Sequence, residues 1–294
     1  KEKAQAIMAY GDTNSTLAAS VAAIKLHIPV IHVEAGLRSF NKAMPEEINR
    51  IITDHCSTLL FSPTLTGLNN LISEGIIHND GKTTNADKPK VFHCGDVMYD
   101  NALYFSRKAQ KKSHILQSFK LEPEKYILLT LHRGENTDKP EKLNKLSDTI
   151  KKLLDIYKGK IIFPIHPRTN KILETENTVY LKSLANNNDR LILTKPVSYF
   201  DMLILEKNAG YVITDSGGVQ KEAFFFKKPC LILRDETEWT EIIDSQTAAL
   251  TGLDPEKIIS SFVSFEKNTP ENFPSIFGNG NAAEFICQKI MQLL

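Results

Sequence analysis

Three acids stand where acid/base chemistry could be done: Asp12 in Gly11-Asp12-Thr13-Asn14, Glu34 in His32-Val33-Glu34-Ala35-Gly36-Leu37-Arg38, and Glu46 in Pro45-Glu46-Glu47-Ile48-Asn49-Arg50. The first two follow apolar runs of strand length, and in open α/β sheets ligands bind beyond the carboxyl ends of strands. Carboxylates gathered in one crevice repel one another and lose hydration, which lifts a carboxyl group toward a range useful for proton transfer. Two of the three also have plainer roles. Asp12 could cap the helix that Leu17, Ala18, Val21 and Ile24 announce. Glu46 could form a solvent-exposed i,i+4 pair with Arg50 worth about 0.2–0.5 kcal/mol. The spacing places Glu46, Arg50 and Thr53 on one polar helix face and turns Ile48, Ile51 and Ile52 inward. Glu34, at a strand end beside a glycine, has no packing explanation.

Cations follow two later apolar runs, in Leu131-His132-Arg133-Gly134-Glu135-Asn136 and in Ile165-His166-Pro167-Arg168. His132 beside Arg133 is placed to meet a diphosphate, whereas His166 is either a ligand contact or a core histidine satisfied by backbone. The segment Tyr211-Val212-Ile213-Thr214-Asp215-Ser216-Gly217-Gly218-Val219-Gln220-Lys221-Glu222 reads as strand, glycine turn and helix start. Free amides there, with Ser216, Gly217 and Gly218, suit phosphate oxygens, and Glu222, expected in the first helical turn, suits ribose hydroxyls. The alternative is an ordinary N-cap by Asp215 or Ser216. The pattern is neither a Walker A loop nor a GxGxxG fingerprint, so neither ATP hydrolysis nor NAD binding is indicated. Arg234, in the charged stretch Leu233-Arg234-Asp235-Glu236-Thr237-Glu238-Trp239, follows the next strand and is expected to line the same site.

The elements that must position these residues recur along the chain. Strand-sized runs fall at 6–10, 28–33, 59–62 and 90–94, then at 126–132, 161–165, 190–194, 211–214, 230–233 and 248–251, with helical periodicity between them. This is the signature of parallel sheets in two doubly wound lobes. At 294 residues and 41% hydrophobic content the chain exceeds one average domain. The charged, apolar-poor stretch Ser106 to Glu122 marks a junction near residue 110, giving a first lobe over 1–110 and a second over 111–276. Pro270, Pro274, Gly278 and Gly280 precede a last helix, within 277–294, that could return to the first lobe. The first strand comes so early that the first lobe reads as truncated at its front.

Lysine plus arginine (36) balance aspartate plus glutamate (35), so nothing suggests a nucleic-acid surface, and any anionic ligand must be met locally. Cys56, Cys94, Cys230 and Cys287 form no metal spacing and read as reduced thiols; no metal site is expected. No apolar run approaches a membrane span, and the opening Lys1-Glu2-Lys3-Ala4-Gln5 lacks a signal-peptide core, so the expectation is a cytoplasmic protein.

Six ordered motifs, GDT, HVEAGLR, PEExNR, LHRxEN, TDSGGxQxEA and LRDxTE, span residue 11 to about 241. With them the chain resembles the non-hydrolysing UDP-N-acetylglucosamine 2-epimerases. The resemblance implies a glycosyltransferase-B-like α/β architecture of two Rossmann-like lobes, the second holding UDP. It further implies interconversion of UDP-GlcNAc and UDP-ManNAc by anti elimination and re-addition of UDP, without a cofactor, in a homodimer supplying surface polysaccharide precursors. On matching positions Asp12, Glu34, Glu46 and His132 would be catalytic. Arg133, His166, Ser216, Gly217, Gly218, Glu222 and Arg234 would hold substrate, and Arg38 and Arg50 would support the catalytic face or a bound sugar nucleotide. Three features depart from the common pattern. An opening GTRPE-type segment is absent, Met202 stands where many members stack an aromatic ring on uracil, and Thr237-Glu238-Trp239 replaces TERP. The last change is similar to the subgroup acting on UDP-2,3-diacetamido-2,3-dideoxyglucuronate. A retaining UDP-sugar glycosyltransferase, a hydrolysing 2-epimerase and a UDP-sugar binding module are the competing readings.

Overall fold

A computed structural model describes residues 4–167, 169, 170 and 179–293; Arg168 lies outside them. The chain divides into two compact units, Lys1–Asn101 with Ser275–Leu294, and Ala102–Pro274.

The first unit carries a four-stranded parallel sheet in the order β1-β2-β3-β4, from Ile7–Tyr10, Val30–Val33, Leu59–Ser62 and Lys90–His93. Helices α1 (Asn14–Lys25), α2 (Pro45–His55) and α3 (Leu65–Ser73) connect the strands, and α4 (Val97–Lys112) follows β4. Strands β2 and β3 are buried along their whole length, which is why they read as continuous apolar runs rather than alternating ones. Ile31, Val33, Leu59 and Phe61 form a core with Ile286 of the last helix, α13 (Ala282–Leu293). The C-terminal segment therefore belongs to this unit, and the Asp96 amide donates to the Phe277 carbonyl at 3.0 Å. Gly36 and Gly67 show why two glycines are needed here: a Cβ on Gly36 would lie 2.2 Å from the Gly67 carbonyl oxygen.

The second unit opens with the end of α4 and with α5 (Ile115–Ser118). Its parallel sheet comprises β5 (Tyr126–Thr130), β6 (Lys160–Pro164), β7 (Leu191–Thr194), β8 (Tyr211–Thr214), β9 (Cys230–Ile232) and β10 (Ala248–Leu250), in the order β10-β9-β8-β5-β6-β7. The strand order reverses between β5 and β8, so their carboxyl ends flank a topological switch point, the place where doubly wound sheets open a ligand crevice. The connections among the described residues are α6 (Gly134–Thr137), α7 (Pro140–Ile156), α8 (Val179–Asn186), α9 (Tyr199–Asn208), α10 (Gly217–Phe225), α11 (Thr240–Asp244) and α12 (Pro255–Lys267). Proline starts α2, α7 and α12, where its missing N–H costs nothing. The core joins Ile127, Leu129, Phe163, Ile213 and Leu231 of the sheet to Leu146 and Ile150 of α7 and Phe262 of α12. Each such buried side chain contributes about 1.5–3 kcal/mol. All ten expected strands form, with bounds within two residues of those expected. Among the described residues no helix is long and apolar enough to cross a membrane.

Candidate active site

In the first unit the chemistry gathers at the turn after β1. Gly11, at φ +68°, reverses the chain there; its amide donates to the Val33 carbonyl at 3.1 Å, and its carbonyl meets His32 Nε2 at 3.0 Å. A Cβ at Gly11 would stand 3.3 Å from Glu34 Oε2, so the Glu34 carboxylate lies against the residue preceding Asp12. Two of the three expected acids are thereby brought together. Glu34 itself holds φ +75°, a conformation costing about 1–3 kcal/mol in a non-glycine residue and concentrated at functional sites. Asp12 does not cap α1; Thr13 does, accepting from the Thr16 amide. Asp12 instead receives Arg50 Nη1 at 2.5 Å, and Asn49 Nδ2 donates to its carbonyl at 2.8 Å.

A buried ionic network underlies this turn. Asp54, fully buried, accepts from His32 Nδ1 at 2.6 Å, Arg38 Nη1 at 2.7 Å and the Gly36 amide at 3.1 Å. Both nitrogens of His32 face acceptors, Asp54 and the Gly11 carbonyl, which only the doubly protonated ring can satisfy with two donors. Burial works against that charge, but Asp54 outweighs it and raises the His32 pKa. Burial likewise pushes Asp54 up, yet His32 and then Arg38 hold it below the ordinary carboxylate value. Glu47, equally buried, accepts from the Ser39 and Phe40 amides at 2.9 Å each and pairs with Arg50 at 2.8 Å. Those amides and Arg50 overcome burial and lower its pKa.

This network narrows one expectation and corrects others. Of the two roles expected of Arg38, the supporting one fits its surroundings: its guanidinium is buried, bonded to Asp54 and bidentate to Glu74 at 2.7 Å, so it supports the loop after β2. The buried side of α2 is polar, not apolar. Glu47, Asn49, Arg50, Thr53 and Asp54 are inside, while Ile52 is exposed and Ile48 and Ile51 are half-buried. Arg50 pairs with Glu47 and Asp12 rather than with Glu46, which stands exposed in the first turn.

In the second unit the site forms at the switch point. Asp215, buried after β8, accepts from the His132 amide at 3.1 Å, the Arg133 amide at 2.9 Å and Asn136 Nδ2 at 3.2 Å. His132 Nδ1 lies 3.1 Å from the same carboxylate. Burial pushes Asp215 up, but the His132 hydrogen bond, the Arg133 amide and Asn136 bring it below the usual value. An anion thus fixes the His132 ring and leaves Nε2 for a ligand. His132, His166, Val197, Met202, Ser216 and Val219 line a pocket of about 330 Å³. His166 is exposed, its ring centroid 5.7 Å from that of His132, which removes the core-histidine alternative. Ser216 is the N-cap of α10 through the Val219 amide at 3.4 Å, and Gly217 and Gly218 open that helix, whose N-terminus carries positive potential.

The remaining expected contacts are distributed around this pocket. Arg133 is partly exposed and 4.0 Å from Glu135. Arg234 is buried and pairs with Glu238 at 3.0 Å; an added Cβ on Gly217 would lie 3.8 Å from its Nη1, so it backs the glycine turn. Glu222 lies in the second turn of α10, not the first, and is buried. Tyr199 and Phe200 pack on Phe105 at 5.9 and 6.1 Å, leaving Met202 as the pocket residue of that segment. Asp54, His32, Glu47 and Asn136 were not singled out from sequence. Asp54 carries no local signal, since its partners come from 16–22 positions away, whereas Asp215 was visible only as a cap candidate.

A family model described as UDP-N-acetylglucosamine 2-epimerase matches residues 1–291. The chain belongs to this family. It is therefore an epimerase, of the isomerase class. A UDP-N-acetylglucosamine 2-epimerase homolog of Methanococcus maripaludis is 44% identical over 294 residues, covering 100% of this chain and 77% of the relative. The UDP-2,3-diacetamido-2,3-dideoxy-D-glucuronate 2-epimerase of Pseudomonas aeruginosa is 40% identical over 293 residues, covering 100% and 76%. Among solved structures, the Methanocaldococcus jannaschii UDP-GlcNAc 2-epimerase in complex with UDP-GlcNAc and UDP aligns with a TM-score of 0.82 at 41% identity, over 98% of this chain and 76% of that one. The two parallel α/β units are accordingly of the glycosyltransferase-B-like type that the family shares.

Proposed function

We propose that the protein interconverts UDP-GlcNAc and UDP-ManNAc by eliminating UDP and adding it back. The observation that carries this reading is the convergence of Asp12 and Glu34 on Gly11, held by the buried Asp54 and Glu47 networks. In the forward half-reaction one carboxylate takes the C2 proton, the C2–H electrons form a C1=C2 double bond, and the C1–O bond breaks with its pair leaving on UDP. His132 steadies the departing diphosphate beside Ser216 and the start of α10. Re-addition of the UDP oxygen at C1, with C2 protonated on the opposite face, gives the epimer. Proton and leaving group balance without any redox partner. Glu46 serves as a further acid from α2, with Arg50 ordering Asp12. Arg133, His166 and Glu222 complete the nucleotide contacts.

Incubating the full-length protein with UDP-GlcNAc in heavy water, with no acceptor, tests the reading: UDP-ManNAc carrying deuterium at C2 supports it, and absence of exchange or release of free ManNAc supports its rivals. A second substrate, UDP-2,3-diacetamido-2,3-dideoxyglucuronate, is favoured by one observation. The segment Thr237-Glu238-Trp239 is similar to the subgroup acting on that sugar, and the Pseudomonas aeruginosa relative of that description is 40% identical over 293 residues. The same exchange assay with that sugar nucleotide decides between the two. The reading includes a homodimer, carried by the resemblance and checked by light scattering. Four free thiols are in keeping with a reducing, cytoplasmic setting.

A further inference from the structure

Glu206 is a poorly accommodated acid among the described residues of the second unit. It lies on α9, four residues after Met202 and thus one turn from the pocket residue on the same helix. Its side chain is fully buried, at 0% exposure, and neither carboxyl oxygen has a hydrogen-bond donor. An ionised carboxylate without donors in such a place is costly enough that the group takes a proton instead. The neighbour it meets is another acid, Glu222 of the adjoining α10, within range of a side-chain hydrogen bond. Two ionised carboxylates cannot make that bond; one proton held between them can. Burial first, and then Glu222, push Glu206 well above the ordinary carboxylate range. Of the pair, Glu206 is the more deeply enclosed, so the proton resides there.

We propose that Glu206 is a positioning residue for nucleotide binding: as a neutral acid it donates a hydrogen bond to Glu222, fixing the carboxylate that receives the ribose hydroxyls. The inference rests on the reading of Glu222 as a ribose contact. It explains why an acid occupies an otherwise apolar stretch, Leu203-Ile204-Leu205, where all three neighbours are buried. A neutral donor at this point orients Glu222 without neutralising it, whereas a lysine or arginine there would compete with ribose for its oxygens.

The titratable groups around Glu206 are Glu222 on α10, Tyr126 on β5, Cys230 on β9 and Tyr199 on α9 itself. Tyr126 and Cys230 are pushed far up by burial and stay neutral. Tyr199 is pushed up to about 12 by burial and then by the two acids. As pH rises, loss of the Glu206 proton leaves two facing carboxylates, and ribose binding must weaken.

The test measures UDP affinity by calorimetry between neutral and alkaline pH for the full-length protein, Glu206→Gln and Glu206→Met, with melting temperature as the check on folding. Glu206→Met is expected to lose about tenfold in affinity at neutral pH, the scale of a hydrogen bond to a charged group. Glu206→Gln, which still donates to Glu222, should bind like wild type and hold its affinity further into the alkaline range. Uracil N3–H and Tyr199 titrate alike in both, so the difference between the two curves isolates Glu206. An infrared carboxyl band of the protonated acid at neutral pH should vanish in Glu206→Gln. Equal weakening in both variants, unchanged affinity in Glu206→Met, or persistence of the carboxyl band in Glu206→Gln would overturn the inference while leaving the site reading intact. Failure of the wild type to bind UDP would instead remove the site reading, and the inference with it.

Discussion

The turn after β1 and the pocket at the end of β5 and β8 solve different physical problems in one chain. Around Gly11 the structure holds charge: Asp12, Glu47 and Asp54 are matched by Arg50, Arg38 and His32 within 2.5–2.8 Å. Around Ser216 it instead offers donors: a helix start and a histidine held by the buried anion Asp215. Proton transfer requires carboxylates fixed in geometry and protonation state, so their surroundings are ionic and stiff. Holding a nucleotide requires amides, rings and hydroxyls that a ligand can claim, so the surroundings are nearly neutral. The comparison teaches that the dense charge network lies beside the carboxylates, whereas the nucleotide pocket is lined by rings, a hydroxyl and a helix start, with one ion pair, Arg234–Glu238, behind its glycine turn.

The largest expected effect separates the two regions directly. Glu34→Gln or Asp12→Asn should slow turnover by about 100- to 10,000-fold, the range of a general acid or base, while UDP affinity by calorimetry stays at the wild-type level. A parallel loss of UDP affinity would break the division of labour.

Next comes the stability of the charged region. Asp54→Ala strands His32 and Arg38 in the interior and should cost about 3–5 kcal/mol in denaturant unfolding. Asp54 is held below its unfolded pKa, so its contribution is present above about pH 4 and is lost as pH falls through the lower folded value. His32 is held above its unfolded pKa, so its contribution is complete below about pH 6.5 and is lost as pH rises through the higher folded value. Melting temperature against pH should therefore fall on both the acid and alkaline sides in wild type, and Asp54→Asn should flatten both slopes. A wild-type profile indifferent to acid would contradict the network.

A smaller effect belongs to the nucleotide pocket. Ser216→Ala removes the cap of α10, costing about 1 kcal/mol of stability, and should weaken UDP by roughly tenfold without changing the pH profile of melting. The smallest is a control on ion pairs in general: Lys125→Ala breaks the exposed bridge to Glu122 at 2.7 Å, and calorimetric melting should not move, because solvent and salt screen such pairs.

Much of this arrangement was readable from residue order. The strands announced themselves as short apolar runs, most clearly β2, β3 and β5, which are buried along their whole length, and the acids and histidines after them fell at strand ends as parallel topology requires. What could not be read was partnership. Nothing in Pro45 to His55 says that its acids and arginine face inward, since helical periodicity normally buries the isoleucines; here His32 of β2, Asp12 of the turn after β1 and Arg38 of the loop after β2 supply enough opposite charge to reverse the amphipathicity. Asp54 looked like any helix-end acid, and its role appears only when His32 and Arg38 are folded over it. Arg38 came from the HVEAGLR motif alone, which does not name its partner; Glu74, from a helix end 36 positions away, takes it. The strand order that makes β5 and β8 neighbours, and so joins His132 to Ser216, is likewise a tertiary fact.

One measurement tests the central claim most directly: nuclear magnetic resonance of UDP-GlcNAc incubated in heavy water with the full-length protein, alongside Glu34→Gln. The account predicts a C2-epimer carrying deuterium at C2 with the wild type and little or none with the variant, though both bind UDP. An epimer that keeps its original C2 hydrogen, or no exchange while UDP is bound, would contradict it.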